Sequence, residues 1–130
     1  KEYMDTNFVS YNEASGNMIE LVICNNDGMA EGVIASLQEK GYNKEGAHVV
    51  PVFGVDATDN AKAFIADGAM AGTIKQDAEG MAVAVTQAAK AVVEGAAPAD
   101  ALAGLKDERF SLSADCASIL YVAYAPYTGE

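Results

Sequence analysis

Short apolar runs alternate with stretches of helical periodicity along this chain. Apolar runs predict strands at residues 18–24, 48–55, 69–74 and 119–124. Apolar positions three and four residues apart predict helices across 30–37, 61–65 and 78–93, and one or two helical turns at 98–105. Strands that alternate with helices indicate an α/β fold, an open parallel sheet with flanking helices.

Glycine and proline refine these boundaries. Gly41, Gly68 and Gly95 follow the three longer helical patterns, where glycine commonly ends a helix. Pro51 falls inside the second predicted strand, which indicates either a sheet edge or a position without a ladder hydrogen bond.

Polar side chains follow each of the first three predicted strands. Residues 25–27 are Asn, Asn and Asp, Asp56 follows the second strand, and residues 75–77 are Lys, Gln and Asp. Ligands of open parallel sheets bind beyond the carboxyl ends of the strands. Amides and carboxylates supply the donors and acceptors that sugar hydroxyls require.

Helix capping is the competing interpretation of these residues, because short polar side chains also favour helix starts and turns. We keep capping for Asp27 and Asp77, which stand directly before helical patterns. The shared edge favours ligand contact for Asn26, Asp56 and Gln76.

Composition narrows the classes of function. A net charge of −11 over 130 residues opposes binding to nucleic acid. The single histidine, His48, begins a strand at the opposite edge, and neither a nucleophile elbow nor a glycine-rich phosphate loop is present. We therefore predict no catalytic residue and no enzyme. Cys24 and Cys116 follow no metal-binding spacing, and Cys24 is expected in the core.

Three motifs in this order give a specific resemblance: "NND", "PVFGVDA" and "GAMAGTIKQDA". The stretches "IELVICNNDGMAEGVIASLQEKGY" and "VPVFGVDATDNAKAFIADGAMAGTIKQDAEGMA" resemble the C-terminal part of type I periplasmic sugar-binding proteins of ABC transporters, most of all galactose/glucose-binding proteins. The likeness extends from residue 19 to residue 95 and is weak after residue 98.

The resemblance assigns roles by position. Asn26 and Asp56 match sugar-contacting residues, and Gln76 stands where galactose/glucose binders have asparagine and ribose binders have glutamine, which leaves a pentose open. Glu20 matches an acidic residue that completes a calcium site in galactose/glucose binders. The other calcium ligands lie outside this sequence, so calcium is expected only in the full-length protein.

The resemblance also implies that residues 1–130 are a C-terminal fragment of a two-lobe protein. Residues 1–76 would belong to the second lobe, 77–120 would cross to the first lobe, and 121–130 would return. The apolar face of helix 77–94 would then lack its usual partner, so we expect the fragment to self-associate through this helix and to bind sugar weakly.

The implied function is the substrate-binding component of an ABC sugar importer. It would bind a monosaccharide such as galactose or glucose between two lobes and be recognised by a membrane permease. It would be periplasmic or extracytoplasmic, with a lipid anchor in a Gram-positive source. The alternative is the effector-binding core of a lactose-repressor-type transcription regulator, which the sequence preceding Lys1 would distinguish. An enzyme on the same scaffold would instead lose turnover when Asp56 is replaced.

Overall fold

A computed structural model of the chain describes residues 1–10, 16 and 18–129, which form a mixed α/β structure. The strands are β1 (Val22–Ile23), β2 (Val52–Val55), β3 (Gly72–Gln76), β4 (Phe110–Leu112), β5 (Leu120–Val122) and β6 (Tyr124–Tyr127). The helices are α1 (Glu2–Asn7), α2 (Asp27–Glu39), α3 (Asp59–Ala66), α4 (Ala78–Val93) and α5 (Pro98–Ala103). The predicted α/β class is confirmed.

The main sheet has the strand order β1-β2-β3-β6. β1 pairs with β2 in parallel, with Val22 opposite Val52, and β2 pairs with β3 in parallel, with Phe53 opposite Gly72. The carboxyl ends of these three strands therefore lie at one edge. β4 and β5 form a separate antiparallel pair.

The described chain divides into two compact units. The first unit comprises Lys1–Lys75 and the described residues from Pro126 onward, and the second comprises Gln76–Ala125. The parallel strands β1 and β2 and the helices α1, α2 and α3 belong to the first unit, and α4, α5, β4 and β5 belong to the second.

The core of the first unit forms where α2 packs on β2. Ala30, Ile34 and Leu37 of α2 are fully buried, as is Val52 of β2. Burial of a leucine or isoleucine side chain contributes about 1.5–3 kcal/mol, so the contact of α2 with β2 stabilises the unit. Ala30, Ile34 and Leu37 are among the residues whose helical spacing predicted α2.

The observed strands are shorter than the apolar runs that predicted them. The ladder of β1 and β2 begins at Val22 and Val52, where the backbone N–H of Val22 donates to the carbonyl oxygen of Pro51. Pro51 immediately precedes β2, which is an internal strand. The sheet-edge interpretation of Pro51 is therefore wrong. Its carbonyl oxygen bonds to β1, and the missing N–H is tolerated because Pro51 stands just before the first residue of β2.

The run predicted as one strand at 119–124 contributes to two sheets. Leu120–Val122 pairs with β4, whereas Tyr124–Tyr127 lies in the main sheet beyond β3. Ala123 separates the two strands and donates its backbone N–H to the carbonyl oxygen of Arg109. The short elements α1 and β4 were not predicted.

The two thiols in the described residues are free. Cys24, the residue after β1, is buried, and Cys116 is exposed. Burial raises the pKa of the Cys24 thiol, which favours its neutral form. Cys24 is thus a small core residue, as predicted.

Helix α4 is 16 residues long and ends where the chain enters a left-handed turn at Gly95, with φ 103°. The Asp77 carboxylate accepts a hydrogen bond from the Gly80 N–H at 2.9 Å, so the predicted capping role of Asp77 is confirmed. No helix in the described part of the chain is both long and apolar enough to cross a membrane.

The apolar stripe of α4 is largely exposed. It consists of the apolar residues whose spacing predicted the helix: Ala78, Met81, Ala82, Val85, Ala88, Ala89, Val92 and Val93. Val85 is 69% exposed and Val93 is 87% exposed, whereas Ala84 on another face of the helix is buried. The stripe is thus not part of the core of the second unit. Self-association through it stays a prediction.

We expect the 130-residue chain to sediment as a concentration-dependent oligomer. Replacing Val85 and Val93 together by glutamate should give a monomer, because a charged side chain is costly to bury in an apolar contact. Gln87→Glu adds charge to the exposed surface of the same helix and should leave the oligomer intact. A wild-type chain that stays monomeric at all concentrations in sedimentation velocity would contradict this prediction.

Arg109 connects the start of β4 to the start of α4. Its guanidinium donates to Asp107 at 2.6 and 2.9 Å and to the Asp77 carboxylate at 3.1 Å. Hydrogen bonds from the Arg109 side chain and backbone lower the pKa of Asp107 from 3.8 to about 2. The Asp77 cap is in this way tied to a strand of the same unit.

This cluster predicts a contribution to acid stability. Because the pKa of Asp107 is lower in the folded state, the stabilisation is complete above pH 3.8 and is lost as the pH falls towards about 2. Arg109→Gln should reduce the free energy of unfolding at pH 5 more than at pH 2, measured by guanidinium denaturation. Lys106→Gln, an equal change of charge at an exposed position, should not alter the pH dependence. Equal losses at both pH values for Arg109→Gln would refute this role.

Gly54 in β2 stands where no side chain fits. A Cβ at this position would overlap the Asp27 carboxylate and lie 2.9 Å from Cε of Met70. Both neighbours are buried. The absence of a side chain at residue 54 thus makes room for the Asp27 carboxylate.

Gly54→Ala should therefore destabilise the protein by about 1–3 kcal/mol, the usual effect of overpacking a core. Gly28→Ala serves as the control. There the added Cβ would lie 3.6 Å from Asn26 Oδ1, an ordinary contact at an exposed position of the helix, so stability should be unchanged or raised by up to about 1 kcal/mol. Urea denaturation measures both, and equal stabilities for the two variants would disprove the steric argument.

Candidate functional site

The carboxyl ends of β1 and β2 carry Asn26 and Asp56 at the same edge of the first unit. The two strands pair in parallel, and the N–H of Cys24 extends the ladder by donating to Phe53 at 2.8 Å. Asp56 directly follows β2 and donates its backbone N–H to the Ile74 carbonyl oxygen at 2.8 Å. Both Asn26 and Asp56 are exposed. The topology thus brings these two predicted site residues to neighbouring strand ends.

Asn26 is the N-cap of α2. Its side-chain oxygen accepts a hydrogen bond from the Met29 N–H at 2.8 Å. The capping bond fixes the orientation of the amide and occupies its oxygen rather than its NH₂ group. Capping is therefore real for Asn26, and its contact with a ligand stays a prediction.

The capping role predicted for Asp27 is wrong. Asp27 is the first helical residue of α2, and its side chain is 0% exposed. One carboxylate oxygen accepts from the Thr58 N–H at 2.8 Å, and the other accepts from the Thr73 hydroxyl at 2.6 Å. Asp27 thus joins the start of α2 to β3 and to the residue that precedes α3.

The backbone at Asp56 and Ala57 is strained. Asp56 has φ 118° and Ala57 has φ 54°, in the region that favours glycine. The Ala57 N–H donates to the Thr73 hydroxyl oxygen at 3.3 Å. Such conformations persist only where the surrounding structure stabilises them, and they cluster at functional sites.

Gln76 ends β3 and is the first residue of the second unit. Its side-chain oxygen accepts a hydrogen bond from the Tyr124 hydroxyl at 3.3 Å. Tyr124 is 61% exposed and was not identified from the sequence, where it counted only as the end of an apolar run. The contact orients the Gln76 amide within its own unit.

Thr58 and Thr73 were also missed. Thr73 is 3% exposed, and its partner Asp27 lies 46 residues away along the chain. A threonine in a strand is ordinary in its local sequence, so no local pattern marks this one. Gly54, the residue that leaves room for Asp27, is the one clue that the sequence offers.

Two further residues singled out from the sequence are His48 and Glu20. His48 is exposed, lies before β2, and makes an edge-on contact with the Tyr42 ring. Glu20 is exposed, and within the described residues no three His, Cys, Asp or Glu side chains gather as a metal site would require. Calcium takes six to eight oxygen ligands, so Glu20 would need many partners from elsewhere in the full-length protein. Its role as a calcium ligand stays a prediction.

Two relatives resemble this chain in sequence. The "D-galactose/methyl-galactoside binding periplasmic protein MglB" of Haemophilus influenzae is 35% identical over 82 residues, which cover 63% of this chain and 23% of that protein. The "Putative rhizopine-binding protein" of Rhizobium meliloti is 36% identical over 92 residues, which cover 71% of this chain and 28% of that protein. The chain thus spans less than a third of the length of either relative.

A family of known proteins also matches most of the chain. The family described as "Periplasmic binding protein domain" matches residues 2–97, which include both strand ends described above. This match confirms the resemblance carried by the three motifs. The chain therefore belongs to the periplasmic binding protein domain family.

Proposed function

We propose that the full-length protein binds a monosaccharide as the substrate-binding component of an ABC importer and does not catalyse a reaction. Membership of the periplasmic binding protein domain family supports a binding role. The name of one relative, a binding protein for galactose and methyl-galactoside, supports a sugar as the ligand.

The observation that carries the proposal is the position of Asn26 and Asp56, which are both exposed and follow neighbouring parallel strands. A carboxylate accepts hydrogen bonds from two adjacent hydroxyls, and an amide NH₂ donates to a hydroxyl oxygen. Asp56 supplies the first and Asn26 the second, and the strained backbone at Asp56 fits a residue held for a ligand. Gln76 is the third residue that contacts the ligand in this proposal, and its position at the end of β3 supports this assignment.

The proposed ligand class is galactose or glucose, and Gln76 keeps a pentose such as ribose within the test. Glu20 contributes to a calcium site completed by other parts of the full-length protein. The protein acts outside the cytoplasm, anchored by lipid where the source is Gram-positive, and a membrane permease recognises its sugar-bound form.

The test is calorimetry on the full-length protein with D-galactose, D-glucose, D-ribose and methyl-galactoside. At least one sugar should bind, and Asp56→Asn should weaken that binding by about ten- to a hundredfold, because a hydrogen bond to a charged group contributes about 1.5–3 kcal/mol. A sugar that binds only the folded protein should also raise its melting temperature.

Asp67→Asn is the matched control. Asp67 caps the carboxyl end of α3, is exposed, and loses the same charge when replaced by asparagine. Its affinity for sugar should equal that of the wild type. Failure of every sugar to bind would reject the function, and unchanged affinity in Asp56→Asn would reject the site.

The importer role has its own test. Cells of the source that lack this protein should lose high-affinity uptake of the sugar that calorimetry identifies. Intact uptake accompanied by altered transcription would favour the effector-binding regulator instead.

A further inference from the structure

We propose that Asp27 is a positioning residue whose buried carboxylate holds the Asp56–Ala57 turn in the conformation that presents Asp56 at the sheet edge. The inference rests on the proposed function, in which Asp56 binds the sugar. Asp27 itself touches no ligand in this account.

The turn requires an external constraint. Asp56 and Ala57 are consecutive non-glycine residues with positive φ, and such backbone persists only where the surrounding structure enforces it. Hydrogen bonds to the backbone supply part of that constraint. The Asp56 N–H donates to the Ile74 carbonyl oxygen at 2.8 Å, which holds the start of the turn.

Two consecutive backbone amides after Asp56 lead to the same carboxylate. The Thr58 N–H donates directly to Asp27 at 2.8 Å. The Ala57 N–H donates to the Thr73 hydroxyl, which in turn donates to the other Asp27 oxygen at 2.6 Å. The Asp27 carboxylate thus holds the two residues that follow Asp56. It bonds directly to Thr58, and it holds Ala57 through the Thr73 hydroxyl.

The environment makes these bonds strong. Asp27 is fully buried and Thr73 nearly so, and charge-assisted hydrogen bonds gain strength where water is excluded. Asp27 also occupies the first turn of the 13-residue helix α2, where the helix dipole favours a negative charge. Gly54 leaves the volume that the carboxylate fills.

Thr73→Val in the full-length protein tests the inference, since valine keeps the shape of threonine and removes the hydroxyl. Amide hydrogen exchange at Ala57 and Thr58 should accelerate by about tenfold or more, and affinity for the sugar identified by calorimetry should fall by a similar factor. Thr73→Ser, which restores the hydroxyl, should recover both. Asp27→Asn should also accelerate exchange and weaken binding, and it replaces Thr73→Val as the test variant if Thr73→Val does not fold.

Ile34→Val is the control for general destabilisation. It removes one buried methyl group from α2 without touching the network, so it should lower the melting temperature and leave the affinity and the Ala57 and Thr58 exchange unchanged.

Wild-type exchange at Ala57 and Thr58 in a folded Thr73→Val or Asp27→Asn variant would overturn the inference, as would loss of affinity without faster exchange. If no sugar binds the wild type, the proposed function fails alone. The exchange rates of the two amides still decide whether Asp27 holds the turn.

Discussion

The candidate edge of the first unit depends on one buried carboxylate. Removing an ionised group from water is costly unless hydrogen bonds replace its hydration. Asp27 receives that replacement from Thr58 and Thr73, which belong to different segments of the chain. The hydrogen bonds that compensate for its burial also join α2, β3 and the residue that precedes α3. Loss of these bonds would therefore both leave the carboxylate without partners and release the segments that form the edge.

The elements with strong local signals could be predicted from sequence. Helices α2, α3 and α4 follow from their apolar spacing and end at glycines with positive φ. The polar strand ends could be predicted for a related reason, since a parallel topology alone carries the carboxyl ends of β1 and β2 to one edge. Both results depend on nearest-neighbour geometry and not on packing detail.

What depends on distant partners could not be predicted. Local sequence favoured Asp27 as the cap, whereas Asn26 caps the helix because Asp27 bonds to partners 31 and 46 residues further along the chain. Buried Asn43 is a similar case, because its amide bonds to Val50 and Ala69 give no sign in the sequence around it. The division of the last apolar run between β5 and β6 likewise depends on which neighbours each half meets.

The close approach of Gly54 to Asp27 constrains how this sequence drifts over generations. Any side chain gained at residue 54 displaces the carboxylate, and a shorter residue at 27 leaves Thr58 and Thr73 with donors and no acceptor. Each of the two residues therefore restricts which side chains the other position tolerates. Asn26 and Asp56 are exposed at the strand ends, so an exchange of either side chain does not require the buried carboxylate to move.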